Sequence, residues 1–260
     1  MFTINHFIWL GICALLLAAS FVLLHKKKPA LKKVLLAACV LSVISEVIKT
    51  FSVLEMVPSS DASTMYPYLE MQHLPLHLCS IQLVFIFYAQ FAREGRVKEA
   101  LLAFMYPSCT MGALLAIAMP SIFSNSIDVS QAFTHPLAYQ YFLYHVMLVI
   151  LGVYIARCGE VAIRPRHYLS TLGILGGLGF LSLYLNSMFA VPTYVNGELV
   201  SVDYSPNLFF TIKTPIGIPL TEKWHWMVYM GIVVLLAVVL IGLFYLHFFL
   251  KNRKTARSVP

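Results

Sequence analysis

Four side chains in this 260-residue sequence sit against their solvation preference: Glu46, Cys79, Gln82 and His145 all lie within otherwise apolar stretches. An ionisable group near the centre of a bilayer costs on the order of 2.5–3.5 kcal/mol on insertion scales, so each needs a reason to be there. A thiol and an imidazole together suit nucleophilic catalysis. The imidazole takes the thiol proton, and the thiolate attacks an ester carbonyl and holds the acyl group as a thioester. Gln82 or Asn186 would donate hydrogen bonds to the oxyanion, an effect typically worth about 2.7–4 kcal/mol per donor. Glu46 would orient and charge-stabilise the imidazole as the third member of a triad. Tyr141 and Tyr144 stand beside His145 as further polar groups of the same stretch.

Helical geometry decides which of these can meet. At about 100° per residue, Cys79, Gln82, Ile86 and Gln90 share one face, whereas His77 lies about 200° from Cys79. The partner of Cys79 therefore comes from another segment. Pro75 suits the first turn of a helix, which places Cys79 in the second turn, about 7 Å from the helix end, with His145 and Glu46 each about 12 Å from theirs. Ser42, Ser45, Glu46 and Lys49 follow at i, i+3, i+4 and i+7, a single stripe that must face other helices.

The elements that carry these residues follow from composition. The chain is 60% hydrophobic and only 11% charged, with a net charge of +7. Soluble domains carry about 25% charge, so an ordinary soluble enzyme, a disordered tail and a disulfide-stapled module are excluded. Seven stretches reach the roughly 20 apolar residues of a spanning helix: 5–24, 34–54, 74–92, 100–119, 137–156, 167–189 and 226–250. The expected fold is an all-α polytopic membrane protein with seven transmembrane helices in one domain, in the cell membrane. Lys and Arg gather at 26–33, 93–98, 157–166 and 251–257, which hold 15 of the 18 basic residues. By the positive-inside rule the N-terminus is outside and the C-terminus inside, and the charge speaks of orientation rather than nucleic acid. Residues 190–225 form an outside loop in which Asn196 and Gly197 read as the turn of a short hairpin. Gly173, Gly176, Gly177 and Gly179 allow the sixth span close approach to a neighbour.

Other chemistries compete. Glu46, Lys49 and His145 could line a proton or substrate path, which makes a transporter or lipid-handling protein without covalent catalysis the alternative reading. His73, His77, His135 and His225 could gather on the outside as metal ligands, although histidines beside Trp224 and Trp226 suit a membrane interface. No cofactor and no metal are assigned. The five cysteines offer no outside disulfide pair, and Cys109, with Ser108 and Thr110 next to Pro107, reads as part of a helix kink.

The run Leu74, Pro75, Leu76, His77, Leu78, Cys79, Ser80 resembles the signature of the YwaF-type family of bacterial integral membrane proteins, which is similar to the eukaryotic transmembrane protein 164 family. The eukaryotic relatives are described as acyltransferases acting on ether phospholipids through a cysteine and a distant histidine. The resemblance implies Cys79 and His145 as that pair, with His135 the other candidate histidine, and membrane lipids as substrates. Where such a family carries a Gly-Thr-Asn-Tyr-like run after the sixth span, this chain has Asn186 through Tyr194, which points to a different substrate. The reading is an integral membrane thiol-dependent lipid acyltransferase or lipid hydrolase, with its site in the outer leaflet.

Overall fold

The computed structural model describes residues 3–61, 63–203, 206–215 and 217–257. The chain forms helices α1 (Ile4–Lys27), α2 (Leu31–Val53), α3 (Leu78–Phe91), α4 (Arg96–Ala118), the single turn α5 (Ile122–Asn125), α6 (Pro136–Arg157), α7 (His167–Met188) and α8 (Lys223–Arg257). Two small antiparallel hairpins join them, β1 (Glu55–Pro58) with β2 (Met65–Tyr68) and β3 (Val191–Val195) with β4 (Glu198–Asp203). Six of the helices, α1, α2, α4, α6, α7 and α8, are long and apolar enough to cross a membrane. The chain divides into two compact units, Met1–Leu69 with Cys79–Ala162, and Glu70–Leu78 with Ile163–Pro260.

The expected third span, 74–92, is where the structure departs from the sequence pattern. Its helix starts at Leu78 and runs for 14 residues, which is about 21 Å. The cause is Pro75. A proline ring clashes with the α conformation of the residue before it, and Leu74 accordingly has φ −62° and ψ 146°. The chain then needs Leu76 and His77 to turn, with Leu76 N–H donating to the Leu74 carbonyl. Cys79 thus stands in the first turn of α3 and not in its second.

In the first unit, α6 is the central element. Leu148, Leu151 and Ile155 are among its fully buried side chains, as are Ala103, Phe104 and Met105 of α4. The two helices approach closely at Gly152, where a methyl group would stand 2.4 Å from Thr110 Oγ1 and 2.9 Å from both the Thr110 nitrogen and the Tyr106 carbonyl oxygen. Pro107 removes one N–H from the α4 ladder, and Ser108 and Thr110 donate their hydroxyls to the carbonyls of Phe104 and Tyr106, at 2.8 and 2.6 Å. α1 packs against α6 and reaches α4 through His6, whose Nε2 lies 3.1 Å from the Ile117 carbonyl oxygen, and it buries His6, Trp9 and Cys13. The Trp9 indole stacks on Phe142 at 4.6 Å and donates to the Ala132 carbonyl.

The β1–β2 hairpin is absent from the sequence reading. Its turn is tied by Asp61, which accepts from the Ser59 hydroxyl and from the Ser63 hydroxyl and N–H. Those hydrogen bonds hold the Asp61 carboxyl down to about 2.

In the second unit, α7 and α8 are joined by Thr171 and the Tyr245 hydroxyl at 2.9 Å, and by Tyr168, whose hydroxyl donates to the Val238 carbonyl. The glycines of α7 do not serve the close approach expected of them. A methyl group at Gly173, Gly176, Gly177 or Gly179 would meet nothing within 4 Å among the described residues.

Candidate functional site

One turn and a half of α6, from Gln140 to His145, reaches three other helices of its unit. Gln140 donates to the Ser45 hydroxyl of α2 at 2.7 Å, Tyr141 to the Ala116 carbonyl of α4 at 3.0 Å, and Tyr144 to the Cys79 carbonyl of α3 at 3.0 Å. The 3.6-residue period fans these side chains around the helix, so a single element fixes all three neighbours. His145 is buried, with 6% of its surface exposed. Its Nδ1 lies 2.6 Å from the Tyr141 carbonyl oxygen, a group that can only accept. Nδ1 therefore carries the proton, and Nε2 presents a lone pair. That is the tautomer a general base requires.

Cys79 is a free, half-buried thiol in the first turn of α3. The Tyr144 hydroxyl holds its backbone, and Tyr144 is the residue next to His145. The Cys79 backbone is thus tied to α6 at the residue preceding His145. Among the described residues no hydrogen bond joins them directly, an arrangement common where the substrate completes the site. Cys79 lies at the N-terminal end of α3, the positive end of the helix dipole.

Gln82, one turn further along α3 and fully buried, is committed to α4. It donates to the Ser108 hydroxyl at 3.2 Å and accepts from the Cys109 thiol at 3.2 Å. Cys109 is consequently more than a kink residue: it helps hold α3 on α4. Spacing alone could not show this, because the bond crosses between helices 27 residues apart in sequence.

A sequence model of the TMEM164 family matches residues 1–245. The chain belongs to the TMEM164 family. With six helices able to cross a bilayer, this family member is a multi-pass membrane protein. No curated protein and no solved structure matches it.

The remaining expected residues of this TMEM164 family member are placed as follows. Glu46 is bound to Lys49 at 2.6 Å, and the nitrogen of His145 that a triad carboxylate would take is occupied by the Tyr141 carbonyl. The Glu46 carboxylate is thus engaged within α2, and Nδ1 of His145 by the α6 backbone. His135 caps α6, its Nδ1 accepting from the Leu137 N–H. Asn186, in the second unit, is buried and fully engaged: its amide nitrogen donates to the Leu208 carbonyl and the Thr211 hydroxyl, and its oxygen accepts from the Leu208 N–H. It fastens a turn in which Phe209 and Phe210 both adopt positive φ, 55° and 53°, a conformation costly for residues with a side chain beyond Cβ. Thr211, Trp226 and Tyr229 complete that fastening, and no sequence pattern announced it. Of the four histidines considered as ligands, His73 lies 3.9 Å from Glu70 and His225 caps the start of α8 against Thr221 and Glu222. No group of three or more His, Cys, Asp or Glu could hold a metal ion among the described residues.

Proposed function

We propose that the protein is a thiol-dependent acyltransferase or hydrolase of membrane lipids. The observation that carries this reading is the fixed tautomer of His145 beside Tyr144, the residue that holds the backbone of Cys79. Nε2 of His145 removes the Cys79 proton as Sγ forms a bond to the carbonyl carbon of a lipid ester. The negative charge of the tetrahedral oxyanion is met by the positive end of the α3 dipole, at which Cys79 stands. Its collapse breaks the ester C–O bond, and the imidazolium returns its proton to the leaving alkoxide. A second hydroxyl, from a lysolipid or from water, gives its proton to Nε2 and attacks the thioester, which releases the acyl group and restores the thiol. Tyr141 positions the base twice over, through its carbonyl on Nδ1 and its hydroxyl on α4.

The proposed topology has seven membrane segments, α3 being the short one, with the N-terminus outside, the C-terminus inside and the thiol in the outer half of the cell membrane. The basic clusters at 26–33, 93–98, 157–166 and 251–257 support it. The closed Glu46–Lys49 pair gives the stripe on α2 a structural task, which favours the enzyme over a charge-conducting path.

The test is intact-mass analysis of protein purified in lipid. The parent is expected to carry an acyl adduct that hydroxylamine removes and that Cys79→Ser lacks, and His145→Gln is expected to slow its formation by about 10²–10⁴-fold. Acyl turnover by Cys79→Ala at the parent rate would sink the proposal.

A further inference from the structure

α1 and α2 each pack along α6 more than against one another. What remains between them is a groove of about 900 Å³ floored by α6. Leu16, Ala37, Leu41, Leu143, Met147 and Ile150 line it, and Leu41 and Leu143 are about half exposed, at 50% and 47%. The groove is therefore open along its length toward whatever surrounds the helices. An apolar channel of this kind stays dry, and within a bilayer the material at its open side is hydrocarbon.

Its two ends are chemically different. Toward one end Ser45 and Gln140, hydrogen-bonded to each other, form a polar step, and the lining continues past them to Ile48 and Pro136. The other end is the α1–α2 turn at Pro29, with Lys33 on the groove wall. Around that turn stand Lys26, Lys27, Lys28 and Lys32, and none of the five lysines is in an ion pair among the described residues. From Lys33 to Ser45 is twelve residues, about 18 Å of helix, close to the half-thickness of a hydrocarbon core about 30 Å deep. The groove thus has a cationic mouth at one end and a polar step about one leaflet deep, and it continues beyond that step.

We infer that this groove binds one anionic phospholipid, with its phosphate at Lys33 and the neighbouring lysines and one acyl chain lying along α6 between α1 and α2. The five lysines outnumber Glu160, whose carboxylate accepts from the Leu31 N–H at the same turn, and a basic excess at the mouth of an interhelical groove selects a net negative headgroup over a zwitterionic one. The apolar walls take the chain, which meets the Ser45–Gln140 step about one leaflet deep. The groove shares Gln140 and Tyr144 with the stretch of α6 that carries His145, and lipid binding there is read independently of whether the chemistry at Cys79 occurs.

Native mass spectrometry of the detergent-purified full chain tests it, with dioleoylphosphatidylglycerol and dioleoylphosphatidylcholine as probes. One phosphatidylglycerol per chain is expected to bind at least about tenfold more tightly than phosphatidylcholine. Lys33→Ala is expected to weaken phosphatidylglycerol about fivefold, the worth of one lysine near a membrane surface, and to leave phosphatidylcholine unchanged. Ala37→Phe, which fills the groove from an exposed position, is expected to weaken both lipids. Ala37→Leu serves as the milder version if the phenylalanine lowers the melting temperature. Millimolar glycerol 3-phosphate, which has the charge without the chain, is expected not to displace the bound lipid. Equal affinity for the two lipids, unaltered phosphatidylglycerol binding by both Ala37 variants, or displacement by glycerol 3-phosphate would each overturn the inference.

Discussion

Replacing Gly152 by alanine probes the joint on which the candidate site depends. The added methyl would lie 2.4 Å from Thr110 Oγ1 and 2.9 Å from two backbone atoms of α4, where ordinary contact begins at 3.4 Å. The hydroxyl would have to retreat by about 1 Å and the backbone by about 0.5 Å, differences taken from those distances. Thr110 cannot yield freely, because its hydroxyl is bound at 2.6 Å to the Tyr106 carbonyl. Overpacking of this kind costs about 1–3 kcal/mol, and the better helix propensity of alanine returns up to about 1 kcal/mol. Because two of the three obstacles are backbone, the net expectation is a loss of about 1–2 kcal/mol, or about 2–8 °C in Tm for a chain of this size. Thermal unfolding in detergent, followed by a dye that reacts with newly exposed thiols, measures it through the buried Cys13, Cys39 and Cys109. Gly176→Ala is the matched control, since its methyl meets nothing within 4 Å; it is expected to hold or raise Tm. Thr110→Ala added to Gly152→Ala removes only the side-chain obstacle and is expected to restore less than half of the loss. A Gly152→Ala protein as stable as Gly176→Ala would refute the close α4–α6 approach.

Four further outcomes are expected. Tyr144→Phe removes one hydrogen bond to the Cys79 carbonyl, worth about 1 kcal/mol, so thioester formation should slow about fivefold with Tm changed by only a few degrees. Glu46→Gln should leave the adduct rate within a few-fold of the parent, because the His145 tautomer is set by the Tyr141 carbonyl; proteoliposome flux lost alongside an unchanged adduct would instead support a conducting role for the stripe. His135→Ala should lower stability by about 1 kcal/mol as a helix cap while the adduct forms normally, the opposite of His145→Ala. Asn186→Ala leaves the Leu208 and Thr211 groups unsatisfied and should cost about 1–3 kcal/mol, read as a fall in Tm that Asn186→Asp only partly repairs.

The sequence made the long helices plain because apolar character over about 20 residues is a cumulative signal. The limits of α2, α4, α6 and α7 fall within four residues of the apolar stretches that announce them. It misjudged 74–92 because the steric effect of a proline on the residue before it acts on two torsion angles and leaves the apolar run itself unbroken. The pairing of Glu46 with Lys49 was legible, being a contact at i and i+3 on one helix. The partners of Gln82, Tyr144 and Asn186 were not, because each lies across a helix–helix or helix–loop contact that periodicity cannot address. The α7 glycines show the converse failure: small residues permit close approach without specifying that a neighbour is there.

The 14-residue length of α3 has a consequence for the solvent in which the protein works. A helix of about 21 Å is shorter than a hydrocarbon core of about 30 Å. In the proposed topology, where α3 is a membrane segment, the surrounding lipids must thin or the end of the helix must sit below the headgroups, and either response costs a fraction of a kcal/mol per Å of mismatch. Cys79 is at that end. Bilayer thickness therefore sets how deeply the thiol is submerged, and reactivity toward a water-soluble maleimide should decline steadily as the protein is moved from bilayers of 14-carbon chains to bilayers of 20-carbon chains. The membrane itself becomes an adjustable part of the site.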